Sequence, residues 1–335
     1  MSPVIDMHIH IASRQRSDCK VSDEMLLSPS FAYMLVANHI NPLRLKHDFD
    51  DTIRQHVLGP IGEAALVERA VVLALDAIYT SDGQRCEADS GMIVSNEYVR
   101  ELAAANPRVL VGASINPYRG ETDGMRELER CLTGPHPAAL IKWIPNSQVI
   151  DPSEARHDWF YRALAQAKVP LLCHTGPEYA VPVPSPVDHH QKLGDPRLLT
   201  RALELGVTVI IAHAATRFFP TEREDYLEDV ATLLARFPNA YADLSAMCVL
   251  CRIGTVDRVL DALLPERLLL GSDFPIPVSD MPPLLVKHLT PAEHLEIVGM
   301  SNPLDKNYRQ LLAIGFPPSI GTRPAELLNP QALAA

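Results

Sequence analysis

The chain has 335 residues, 47% of them apolar and 21% charged, with a formal net charge of −11. That apolar share can fill a large core, and the acidic balance with no basic run argues against nucleic acid or an anionic membrane as partner. Six cysteines at irregular spacings, a first strand starting at residue 3 and no apolar run of membrane-spanning length predict a cytoplasmic protein with reduced thiols.

The first predicted strand, Val4–His10, contains Asp6-Met7-His8-Ile9-His10. Residues i and i+2 of a strand share a face, so His8 and His10 project side by side, and two imidazoles on one rigid element suit a divalent ion. Residues 11–68 then form a long, lid-like connection, in which His39, His47 and His56 read as surface or lid residues. Further short apolar runs follow at Ala70–Asp76, Val109–Asn116, Ala139–Ile144, Val169–His174, Val207–His213, Ala240–Ser245 and Arg267–Asp273. Amphipathic stretches alternate with them, at Asn96–Ala105, Asp123–Cys131, Trp159–Gln166, Leu198–Leu205, Tyr226–Phe237 and Thr255–Leu264. Breakers such as Asn106-Pro107, Gly134-Pro135 and Pro238-Asn239 mark where strands begin.

Eight strand–helix units predict one α/β domain over residues 1–335, a (β/α)8 TIM barrel distorted by long loops after strands one and five. An open doubly wound sheet is the alternative, but no G-x-G-x-x-G follows the first strand. The loop 175–197 carries Pro177, Pro182, Pro184 and Pro186 before Asp188-His189-His190. It and residues 11–68 both leave the C-terminal ends of strands, the rim where barrel enzymes build their sites.

Polar residues end several of these apolar strands. Lys142 interrupts Leu140–Ile144, and His174, His213 and Asp273 close strands five, six and eight. Alternation predicts that Lys142, His174 and His213 face the barrel axis with Leu140, Leu172 and Ile211, their i−2 neighbours. A lysine inside a barrel strand is costly unless paired or modified. The Cys248-x-x-Cys251 pair lacks a second pair or a redox context and reads as structural.

In this order, the D-x-H-x-H opening, Lys142, His174, His213, the Gly271-Ser272-Asp273-Phe274-Pro275 segment and the late Ser301-Asn302-Pro303 resemble the amidohydrolase superfamily. The branch is the amidohydrolase-related one, which includes proteins similar to aminocarboxymuconate-semialdehyde decarboxylase. The resemblance implies a cofactor of one or two divalent ions, Zn²⁺ first. His8, His10 and Asp273 would hold one, and His174 and His213 a second, bridged by a carboxylated Lys142. In a one-metal version His8, His10, His174 and Asp273 bind the ion and His213 assists. It also implies a hydrolase acting on an amide, ester or lactone of a small molecule, with Asp273 as proton acceptor and then donor. The same site could instead serve a decarboxylase or hydratase of unsaturated acids. Asp6 is expected to orient a metal ligand. Arg217 is the first candidate cation for a substrate carboxylate, with Arg14 and Lys192 behind it. Tyr79, Asn146, Glu178, His189 and His190 are specificity candidates by position, and Trp143 is expected to pack against helices. A homodimer is left open.

Overall fold

The computed structural model describes residues 2–252, 254–279 and 289–335. Eight strands lie in chain order in one parallel sheet: β1 (Ile5–His10), β2 (Arg69–Leu73), β3 (Val109–Ala113), β4 (Ala138–Trp143), β5 (Leu171–Cys173), β6 (Val209–Ile211), β7 (Ala240–Asp243) and β8 (Leu268–Leu269). The segment after β8 returns to β1. Met7 N donates to Leu270 O at 3.1 Å, Asp273 N to His8 O at 2.9 Å, and His10 N to Phe274 O at 2.7 Å. These bonds join the last strand to the first and make the sheet a TIM barrel.

One helix follows each strand on the outside: α1 (Phe49–Glu63), α2 (Asn96–Ala105), α3 (Glu121–Leu132), α4 (Asp158–Ala167), α5 (Thr200–Glu204), α6 (Leu227–Arg236), α7 (Thr255–Ala262) and α8 (Pro303–Ile314). Their starts follow from local chemistry. The Ser95 hydroxyl accepts from Tyr98 N at 3.0 Å at the head of α2, and Asn302 Oδ1 accepts from Leu304 N at 3.0 Å at the head of α8. No helix of the described residues is long and apolar enough to cross a membrane, and all six cysteines are free.

Two expectations need correction. Residues 11–68 are not one lid, because α1 fills their later part and buries Phe49, Ile53, Val57 and Ile61 at near-helical spacing. Gly59-Pro60 and Gly62 disguise that helix as a loop in the sequence. The stretch before it carries three short helices, Asp23–Leu26, Pro29–Ala37 and Pro42–His47. Several strands are also shorter than expected, notably β6 and β8, because the chain leaves the hydrogen-bond ladder before it reaches His213 and Asp273.

Side chains alternate between two apolar layers. Met7, Val71, Leu110, Leu140, Leu172 and Ile210 fill the barrel, while their strand neighbours pack against the helices. Trp143 faces outward as expected, stacked on Phe160 with ring centroids 5.4 Å apart. Leu328 and Ala332 close the barrel floor, where Asn329 donates through N to Ala139 O at 3.0 Å and through Nδ2 to Ala138 O at 2.9 Å. Near α8, the buried carboxylate of Asp305 accepts from the backbone N–H groups of Ala65, Leu66 and Val67 at 2.6, 2.9 and 3.0 Å. Replacing Asp305 by Ala should therefore cost about 2–4 kcal/mol in urea unfolding with an unchanged slope; a loss below about 0.5 kcal/mol would show that water takes over these donors.

Candidate metal centre

Strand ends converge on one point above the barrel core. The pairing of β1 with β2 slips between Asp6 and Ile9. Ile5 and Met7 thus face the barrel interior while Ile9 packs outside, and the slip turns His8 and His10 inward. His8 Nε2 stands 3.1 Å from His10 Nε2, and each of these nitrogens is 3.2 Å from Asp273 Oδ1. Lys142 Nζ reaches in from β4 to 2.8 Å from His8 Nε2. His174 Nδ1, just past β5, is 3.2 Å from His213 Nε2 and 3.4 Å from Glu178 Oε2. His8, His213 and Asp273 each offer a ligand atom within 4.8 Å of the others.

His213 does not arrive by strand alternation. Ile211 lies in the outer layer, and Ile210 and Ala212 face in. The histidine enters the site because its backbone turns into the left-handed region, at φ 59°, as does Asp273 at φ 65°. Such residues cost about 1–2 kcal/mol each and need neighbours that hold them. For His213 the holder is Asp243, whose Oδ1 accepts from His213 N at 2.8 Å and from the Ser245 hydroxyl in a short hydrogen bond. Ser245 Oγ in turn meets His213 Nδ1 at 2.8 Å.

Asp243 also holds the first histidine. Its Oδ2 lies 2.7 Å from His8 Nδ1, so a proton on Nδ1 leaves the Nε2 lone pair pointing at the centre. Gly271 makes room for this pair: a Cβ there would come within 3.0 Å of His8 Cβ and 3.4 Å of Asp243 Oδ2. Asp6 acts through the backbone rather than on an imidazole. Its Oδ1 accepts from His8 N at 3.1 Å and Ser272 N at 3.0 Å, binding β1 to the segment that carries Asp273.

Burial governs the protonation states. It pushes the His8 imidazole down to about 4, with the Lys142 ammonium adding to the effect, and lowers His174 and His213 as well. Burial alone would raise Asp243 and Asp273. The surrounding imidazoles outweigh it, with hydrogen bonds to His8 and Ser245 for Asp243 and to His10 for Asp273, and both carboxyls stay well below the ordinary range. Burial pushes Asp6 up to about 7. Neutral imidazoles beside an ionised carboxylate are what a divalent cation binds. His174 Nε2 is buried without a hydrogen-bond partner, which leaves a ring nitrogen of the cluster free to meet a cation. The donor set fits a divalent ion.

A family model described as amidohydrolase matches residues 5–305. The chain belongs to the amidohydrolase family. No curated protein matches it. Among solved structures it is similar to an uncharacterised TIM-barrel protein of Bordetella bronchiseptica, at 17% identity and TM-score 0.54 over 93% of this chain and 99% of that one. It is similar to a 5-carboxyvanillate decarboxylase of Novosphingobium aromaticivorans, solved with manganese and 4-hydroxy-3-methoxy-5-nitrobenzoic acid, at 12% identity and TM-score 0.53 over 97% and 95% of the two chains. A candidate 2-pyrone-4,6-dicarboxylic acid hydrolase of Pseudomonas putida aligns at 15% identity and TM-score 0.51 over 100% and 97%. At these identities the likeness is one of fold.

A cavity of about 420 Å³ opens over the centre of this amidohydrolase. His10, His174, His213, Glu178 and Asp273 line one side, and apolar residues from the segment before α1, among them Phe31 and Met34, line another. Glu178 is the one proposed specificity residue on this wall, with Oε1 fixed by Ala180 N and Val181 N at 2.6 and 2.9 Å. Asn146 sits beneath the fifth-strand loop and donates to Gly176 O and Gln191 O. Tyr79 lies under the Arg119 guanidinium, 4.9 Å from its ring centroid, outside the cavity. His189 is exposed, and His190 Nδ1 faces Pro184 O at 2.7 Å.

Arg217 does not line the cavity and pairs with Asp225 at 3.7 Å; Arg14 pairs with Asp23 at the surface, and Lys192 is exposed. Among the described residues, the arginine or lysine on the cavity wall is Arg252, only 3% exposed, in the loop after β7. Sequence reasoning passed over it and over Asp243. Asp243 could have been found, since it ends an apolar strand at the same rim. Arg252, within Cys251-Arg252-Ile253, carries no such mark.

The Asp243–His8 contact generates a test. Replacing Asp243 by Asn removes the carboxylate that fixes the His8 tautomer, and metal affinity in chelator competition should fall about 10–100-fold. Unchanged affinity would mean that packing alone orients His8.

Proposed function

We propose that this amidohydrolase is a metal-dependent hydrolase acting on an amide, ester or lactone bond of a small molecule. His8, His10 and Asp273 would hold one divalent ion, with zinc the first expectation. His174, His213 and Lys142 would complete a second position. Burial lowers the Lys142 pKa, which favours the neutral amine able to take up CO₂ as a carbamate and so join the ligands. A bound ion supplies Lewis acidity toward the scissile group and makes water acidic enough to be deprotonated near neutral pH.

The observation that carries this reading is the position of Asp273 Oδ1, 3.2 Å from the Nε2 atoms of both His8 and His10. The carboxylate is ionised and sits at the cavity wall, able to take a proton from an attacking water and return it to the leaving group. His213, its ring held by Ser245 and kept neutral by burial, faces the same space and can orient or polarise water. A decarboxylase or hydratase is the second reading. It is favoured by the decarboxylase on the same fold that was solved with manganese and a substituted benzoic acid.

Elemental analysis of protein purified without chelator, combined with a panel of esters, lactones, amides and unsaturated or aromatic acids, tests the proposal. Hydrolysis lost on chelation and restored by Zn²⁺ or Mn²⁺ is the expected outcome. About two ions per chain would support the carbamate, and turnover confined to loss of CO₂ would transfer the site to the second reading. Exchange of Asp273 for Asn should retain much of the metal yet slow turnover about 10²–10⁴-fold; near-normal rates would assign the proton transfer elsewhere.

A further inference from the structure

Arg252 is buried with its Nε and Nη1 atoms lacking any hydrogen-bond partner. Arg69 also has a buried, unpaired Nε, but its Nη1 donates to Leu333 O, and several other partly buried arginines have named partners. Arg108 donates to Ile61 O and Ala64 O, Arg323 to Pro265 O and Leu268 O, and Arg119 grips Asp76 at 2.7 Å. A guanidinium has five N–H donors in a planar fork, and leaving them dry is costly unless something occupies the space in front of them. Arg252 rests over the Phe218 ring, 5.4 Å from its centroid. The carboxylates whose fields favour its charge are Asp273, Asp243 and Glu222, and none forms an ion pair with it among the described residues.

Arg252 is also the one arginine or lysine among the described residues that line the cavity. Much of the remaining wall is apolar, with Phe31, Met34, Phe49, Met92, Ile144 and Val181. A site of about 420 Å³ matches a compact ligand. It offers an apolar body a place, a planar two-oxygen anion one bidentate partner, and the reacting bond a position beside Asp273. We infer that Arg252 is the carboxylate anchor of this cavity and that the substrate is a monocarboxylate with an apolar, ring-sized body. A second carboxylate would find no cation among the described lining residues and would face Glu178 and Asp273. This deepens the proposed function and rests on the cavity being its reaction site.

The test uses metal-loaded protein and a matched pair of probes, 3-phenylpropanoate and the neutral 3-phenylpropanamide, titrated calorimetrically. Wild-type protein should bind the acid more tightly than the amide by about tenfold or more. Arg252→Met should abolish that preference, hold amide affinity within about twofold and keep its metal. Its Tm should equal or exceed that of wild type, because the variant removes an unpaired buried charge. Arg252→Lys should recover part of the preference. A preference that survives in R252M would assign the carboxylate to the metal, and a wild type indifferent to charge would remove the anchor. An R252M protein that melts well below wild type would make Arg252 structural. Absence of hydrolysis across the panel, with the charge preference intact, would overturn the hydrolase and leave the anchor standing.

Discussion

One carboxylate, buried at the end of β7, ties three strands into a single polar cluster. Asp243 meets His8 Nδ1 with one oxygen at 2.7 Å and receives His213 N with the other at 2.8 Å. The first contact selects which imidazole nitrogen of β1 faces the centre. The second holds a residue whose backbone would not otherwise stay in the left-handed region. Because Asp243 has no exposure, its own charge is tolerable only while those partners surround it. The cluster is therefore cooperative: removing any member strands the others in a medium that cannot solvate them.

Charge balance sets the chemistry of the cavity. Asp243 and Asp273 lie on the centre's side with several imidazoles that burial keeps neutral, and the Lys142 amine joins them. A divalent cation relieves the mutual repulsion of such anionic groups and engages lone pairs that have no other acceptable partner. Arg252 lines the same cavity and feels the fields of Asp273 and Asp243. It has no carboxylate of its own and stays cationic, with burial lowering it only to about 10. The apolar residues of the wall keep the local dielectric low, which strengthens the interactions of both kinds of charge.

Sequence pattern made the barrel and much of the centre legible. His8 and His10 on one strand, Lys142 within an apolar run and His174 at a strand end follow from alternation, and Asp273 from the rule that barrel sites occupy the C-terminal rim. The resemblance to amidohydrolases joined them into one set. What alternation could not supply was backbone irregularity. The slip in β1 reverses side-chain parity between Met7 and His8, and the turn at His213 replaces a strand that the apolar pattern would have extended. Arg217 looked favourable because it follows His213 closely in sequence, yet the same turn carries it out to Asp225. Proximity along the chain is a poor guide once φ changes sign.

These irregularities are also where function departs from the most stable barrel. A regular strand would have continued through Ala212 and Ser272, satisfied its ladder bonds and pointed small apolar residues into a closed core. Instead β6 and β8 stop short, His213, Ala214, Ala215 and Asp273 adopt positive φ, and polar side chains fill the rim. The stabilising side of that exchange lies elsewhere: in the apolar layers around the strands, in Asn329 sealing the floor, and in Asp305 binding α8 to the approach of β2. The barrel below the rim is regular enough to bear a strained upper face, and part of that strain sits at His213 and Asp273 of the candidate metal centre.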